Sequence, residues 1–159
     1  MEKQEELITW DERFILGIPI IDRQREKLFE MINNLNIAII EADVLENYNF
    51  EDSVQGIINY MNYHFNTEER LMLLLDYYDT FQHREKHYFF MEEVIMHSKT
   101  AFGENRIDLC HFLNYLKNEG FSHFAIYDRE FAHYYLKMRE SGRLKTQFKK
   151  NPELTIASA

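Results

Sequence analysis

Three pairs of residues in this 159-residue chain carry metal-binding chemistry at helical spacing. His64 and Glu68 are four apart, as are His83 and His87, and His123 is followed five residues later by Asp128. A four-residue step on an α-helix returns to the same face one turn along, so each of the first two pairs can aim both side chains at one point. Imidazole nitrogen with carboxylate oxygen suits iron, zinc or manganese. Each pair alone is weak, because seven His and 27 acidic residues produce such spacings by accident. Together they put imidazoles or carboxylates from three helices into one interior. Leaving such groups buried and unpaired costs several kcal/mol each as a rough guide, and a shared cation satisfies them jointly.

The surrounding pattern predicts the helices that must carry these residues. Asp22 reads as the N-cap of a first helix running to about Glu41, with the stripe Leu28, Ile32, Leu35, Ile39. A second helix reads from Phe50 to Leu75, with Val54, Ile57, Met61, His64, Glu68, Leu71 and Leu75 in three-four steps. A third reads from Phe81 to Phe102, through His83, His87, Phe90 and Val94. Gly103 is its C-cap signal. The fourth reads from Ile107 to Arg139, with Leu109, Leu113, Leu116, Gly120, His123 and Tyr127 on one side. Four long amphipathic helices with short connections predict an all-α, up-down-up-down four-helix bundle. Residues 1–18 lack a helical period and form an N-terminal arm, packed across the bundle through Trp10 and Phe14. The bundle is expected over residues 1–140, with residues 141–159 as a basic, solvated, fraying tail.

The five-residue step from His123 to Asp128 does not fit a regular α-helix, on which it rotates about 140° past a full turn. Asp128 must approach from the flank, or the helix must widen into a π-bulge, a device frequent at functional sites.

At these residues the chain resembles the hemerythrin family in its bacterial form, from Trp10 to about Tyr135. Trp10, Gly17, Ile21, Asp22 and Gln24 look like the family's opening pattern, "YMNYHFNTEERLM" (60–72) like its second-helix motif, "HREKH" (83–87) like its third and "HFAIYD" (123–128) like its fourth. The resemblance implies a non-haem di-iron site that binds O2 reversibly. His83, His87 and His123 would hold one iron, His64 and position 25 the second, and Glu68 and Asp128 would bridge them.

Position 25 departs from the pattern. The family has His there and this chain has Arg25, with no His before His64. Arginine stays protonated and has no free lone pair, so it cannot ligate a metal. Three outcomes follow. Arg25 turns aside and a second iron binds through His64, Glu68, Asp128 and solvent; the three-His position fills alone; or no iron binds and Arg25 forks onto Glu68 or Asp128. The family's usual Trp-Leu pair before the fourth-helix His is also absent, and Gly120 in "NEGFSH" makes room there.

The remaining features narrow the function. Net charge is −9, and residues 1–140 carry −12 against +3 in the tail, which disfavours nucleic-acid and anionic-membrane partners. Cys110 is the single cysteine, so no intrachain disulfide forms, and the N-terminus has no apolar signal core. A soluble, reducing, cytoplasmic setting is expected. His97, His111 and His133 match no ligand position and read as packing or surface residues. The "TEER" and "HREK" charges read as solvated helix faces. No Ser-His-Asp or Cys-His arrangement is supported. The leading expectation is an iron-binding carrier, store or sensor of O2. A peroxidase or oxidase side activity, or a metal-free protein-interaction or self-associating module, are the competing readings.

Overall fold

The computed structural model describes residues 7–41, 48–101 and 106–150. The helices are α1 (Pro19–Ile40), α2 (Phe50–Leu74), α3 (Thr80–Ala101), α4 (Arg106–His123), a π-helical turn (Phe124–Asp128), α5 (Arg129–Glu140) and α6 (Arg143–Lys150). Among the described residues there is no strand, and no helix is long and apolar enough to cross a membrane. The main contacts run α1 to α2, α2 to α3, α3 to α4 and α4 back to α1. Helices consecutive in the chain pack side by side and the last long one closes on the first, which is the expected four-helix bundle. Gly103 and residues 151–159 lie outside the described residues.

The helix ends differ from the sequence reading in instructive ways. Asp22 is not the N-cap of α1. The helix begins three residues earlier at Pro19, whose fixed φ suits a first turn. Asp22 instead accepts from the backbone N–H of Leu16 at 2.8 Å and of Gly17 at 2.9 Å. It therefore fixes the turn that leads in from the arm. Gly17 sits there at φ +81°, a left-handed conformation that side chains disfavour, and an added Cβ would meet Leu136 at 3.3 Å. Helix α2 ends with Asp76 at φ 53°. The Tyr77 N–H donates to Met72 O at 2.9 Å and the Asp76 N–H to Leu73 O at 3.2 Å, the paired bonds of a Schellman turn.

Apart from Tyr127, the apolar stripes bury as read, and they form two clusters. One holds Leu28, Ile32, Met61, Phe65, Phe90, Leu116 and Phe124 among others. The other holds Leu16, Ile21, Leu71, Leu75, Phe131 and Tyr135. The arm joins the first through Trp10, Phe14, Phe29 and Phe121, with ring centroids 4.9–5.8 Å apart. The tail does not simply fray. Residues 143–150 form α6, and Leu144 is buried in the second cluster.

Candidate metal centre

The polar residues in the stripes sit at the level between the two apolar clusters. Along α1 Arg25 lies between Ile21 and Leu28, and along α2 His64 and Glu68 lie between Met61 and Leu71, each flanked by one residue from either cluster. Arg25, His64, Glu68, His83, His87, His123 and Asp128 are all buried, none more than 5% exposed.

His123 and Asp128 come together because the fourth helix widens. Residues Phe124–Asp128 form a π-helical turn. The extra residue per turn carries Asp128 round to the interior, where it is 0% exposed. Tyr127, placed inward by a regular α-helical stripe, is only half-buried. The straight helix with a solvated Asp128 is thus excluded.

The side-chain tips converge. One ligand atom from each of Glu68, His83, His87, His123 and Asp128 lies within 4.8 Å of all the others. Asp128 Oδ1 is 3.1 Å from His123 Nε2 and 3.4 Å from His83 Nε2. Glu68 Oε2 is 3.3 Å from His87 Nε2, and Glu68 Oε1 is 3.9 Å from His64 Nε2. Arg25 Nε stands 3.8 Å from Asp128 Oδ2. Ten buried side-chain polar atoms among the described residues lack a hydrogen bond of acceptable geometry, and nine belong to these seven residues. Interiors rarely leave buried polar atoms unpaired, and apart from the Arg25 Nε donor these are the lone-pair atoms that a bound cation satisfies. Three imidazoles with two carboxylates fit iron.

Curated relatives agree with the geometry. No protein-family model matches the chain. Over 88 residues it is 27% identical to a bacteriohemerythrin of Stenotrophomonas maltophilia, covering 55% of this chain and 56% of that protein. It is 28% identical over 89 residues to a bacteriohemerythrin of Clostridium acetobutylicum, covering 55% of this chain and 69% of that one. A hemerythrin-like protein of Naegleria gruberi is 26% identical over 87 residues, again covering 55% of this chain, and 66% of the relative. The match therefore spans little more than half the length of the Stenotrophomonas relative. This is a hemerythrin-like site.

The hemerythrin-like site has an outer ring that the sequence reading did not assign. His64 Nδ1 faces Gln24 Oε1 at 3.1 Å, and the Gln24 amide N–H donates to Thr67 Oγ1 at 3.1 Å. That amide orientation makes His64 Nδ1 the donor and leaves the Nε2 lone pair facing inward. His87 Nδ1 likewise donates to Glu69 Oε1 at 2.9 Å, and Arg84 Nε donates to Glu69 Oε2 at 3.0 Å. So "TEER" and "HREK" are not merely solvated faces. Glu69 and Arg84 join α2 to α3 behind a site histidine. The signal for both partners was slight: Gln24 lies about 100° from position 25, and Glu69 is one acid among 27. Of the other histidines, His97 is half-buried against the Tyr115 ring, at 4.2 Å between centroids, while His111 and His133 are exposed.

Burial sets the electrostatics. It pushes the His64 pKa down to about 3, so this imidazole is neutral in the folded protein. Burial, reinforced by the neighbouring Asp128 charge, pushes Glu68 up to about 8. Burial opposes ionisation of Asp128 too, but His123, His83 and Arg25 outweigh it and hold its carboxyl well below the ordinary value. Two like carboxylates are thus driven apart in acidity, with Asp128 the permanent anion.

Proposed function

We propose that this chain is an iron-binding hemerythrin-like protein that binds O2 reversibly and does not turn over a substrate. The observation that carries this reading is the cluster of eight unpaired buried nitrogen and oxygen atoms on His64, Glu68, His83, His87, His123 and Asp128, with five of these residues bringing a ligand atom within 4.8 Å of one another. His83, His87 and His123 would hold iron with Glu68 and Asp128, and His64 stands ready on the far side of Glu68. Iron so held would supply the O2 chemistry. The chain's own part is to orient the imidazoles through Gln24 and Glu69, and to keep water out with apolar walls. Phe65 stacks on the His87 ring at 4.0 Å and 15°. Behind Phe65 and Phe124 lies an apolar cavity of about 10 Å³, lined also by Leu28, Met61, Phe90 and Gly120. It is at the lower limit of what a single water needs. The single cysteine, Cys110, agrees with a reducing, cytoplasmic setting.

The test is anaerobic loading with Fe(II), followed by iron analysis and visible spectra before and after O2. Iron uptake, with a band that appears with O2 and reverses on its removal, is the expected result. A folded protein that takes up no iron would overturn the reading.

A further inference from the structure

We propose that Arg25 stands in for a second metal: its guanidinium is the permanent cation of one half of the site, and the chain holds a single iron in the other half. This rests on the iron-binding reading above and specifies its form.

The two carboxylates divide the site. Asp128 Oδ1 faces His123 and His83, at 3.1 and 3.4 Å from their Nε2 atoms. Glu68 Oε2 faces His87 and His83, at 3.3 and 4.0 Å. These two oxygens and three nitrogens make one half, and they come from the five residues whose ligand atoms all lie within 4.8 Å of one another. The remaining oxygens point the other way. Asp128 Oδ2 faces Arg25 Nε at 3.8 Å, and Glu68 Oε1 faces His64 Nε2 at 3.9 Å. His64 is not among the five close residues. The second half therefore offers one imidazole and two carboxylate oxygens, with a guanidinium where a further ligand would stand.

Arg25 is held in this place. Its NH1 donates to the Phe14 carbonyl of the arm at 2.9 Å, its guanidinium carbon lies 4.4 Å from the centre of the Phe124 ring, and the residue is 1% exposed. It does not fork onto either carboxylate. At 3.8 Å the Arg25–Asp128 approach is too long for a hydrogen bond, and Nε has no other partner. Arg25 and Asp128 thus form a long ion pair without a hydrogen bond, and the lone pairs of both carboxylates stay open. The guanidinium supplies charge to the second half and leaves the first half's ligands open.

Charge decides how many ions this arrangement accepts. One ferrous ion with Arg25 and the two ionised carboxylates leaves a single net positive charge. A second ferrous ion would leave three, in an interior where unscreened repulsion is strong.

Iron per chain and spin state test this on the full-length protein, loaded anaerobically and then oxidised. The wild type is expected to hold one iron, with the ferric form showing an isolated high-spin signal that accounts for all the iron by electron paramagnetic resonance. Arg25→His is expected to hold two irons, magnetically coupled and without that signal. Two coupled irons in the wild type would overturn the assignment to Arg25 while leaving iron binding intact. One iron in both proteins, each folded by circular dichroism, would overturn it as well. No iron in the wild type would instead overturn the iron-binding reading itself. Should Arg25→His fail to fold, the wild-type resonance signal alone still decides between an isolated ion and a coupled pair.

Discussion

At the scale of single residues, what stands behind each imidazole matters as much as what it faces. Gln24 and Glu69 each accept the Nδ1 proton of a site histidine and so present Nε2 inward. Gln24→Leu and Glu69→Ala are each expected to weaken iron binding about 10–100-fold, with helix content unchanged. Competition with a coloured chelator measures this, and affinities equal to wild type would contradict it. His64, Glu68 and Asp128 set the pH response of the metal-free protein. His64 is depressed from 6.5 to about 3, so its share of stability is complete above 6.5 and is lost as pH falls towards 3. Asp128, also depressed, acts in the same direction below its ordinary 3.8. Glu68 is raised from 4.5 to about 8, so its share is complete below 4.5 and is lost as pH rises through 8. The melting temperature of iron-stripped protein should therefore peak between these limits and decline on both sides. Thermal melts across a pH series check this, and a steady rise through pH 8 would count against it.

At the scale of elements, the bundle reaches its site through departures from ideal helices. The π-helical turn is the clearest, because a regular α4 would point Tyr127 inward and leave Asp128 on the flank. The entry to α1 is another. Asp22 draws in the N–H groups of Leu16 and Gly17, which orients the arm so that the Phe14 carbonyl meets Arg25. Gly17→Ala should cost about 1–2 kcal/mol, the penalty of a left-handed conformation for a residue with a Cβ, added to the 3.3 Å approach to Leu136. Denaturant titration reads this as a lower midpoint at unchanged slope. A midpoint equal to wild type would show that the turn relaxes freely.

At the scale of the whole molecule, the site is the polar layer between two apolar clusters, and every long helix contributes to it. A ligand that binds only the folded state stabilises it by mass action, so metal should tie the bundle together. Removing iron with a chelator is expected to lower the melting temperature by several degrees, the effect growing with the free iron concentration beforehand. Calorimetry with and without chelator measures it, and an unchanged transition would mean that the polar layer is self-sufficient.

Much of this protein was determined by its sequence alone. The three-four stripes specify four helices and their buried faces, because helical periodicity is local and survives in the one-dimensional record. The same periodicity marks His64, Glu68, His83 and His87 as inward-facing, and the mismatch of His123 with Asp128 announces either a π-bulge or a flanking approach. Which of these occurs, the starting point of α1, the packing of Leu144 and the partners Gln24 and Glu69 were decided only in three dimensions. Each depends on a neighbour distant in the chain: Asp22 on the arm's backbone, Glu69 on a helix across the bundle, Leu144 on the second cluster. Arg25 shows the division most sharply. Its position is legible as inward-facing, but whether its guanidinium forks onto a carboxylate or hangs from the Phe14 carbonyl depends on where the arm passes, and helical spacing holds no record of that.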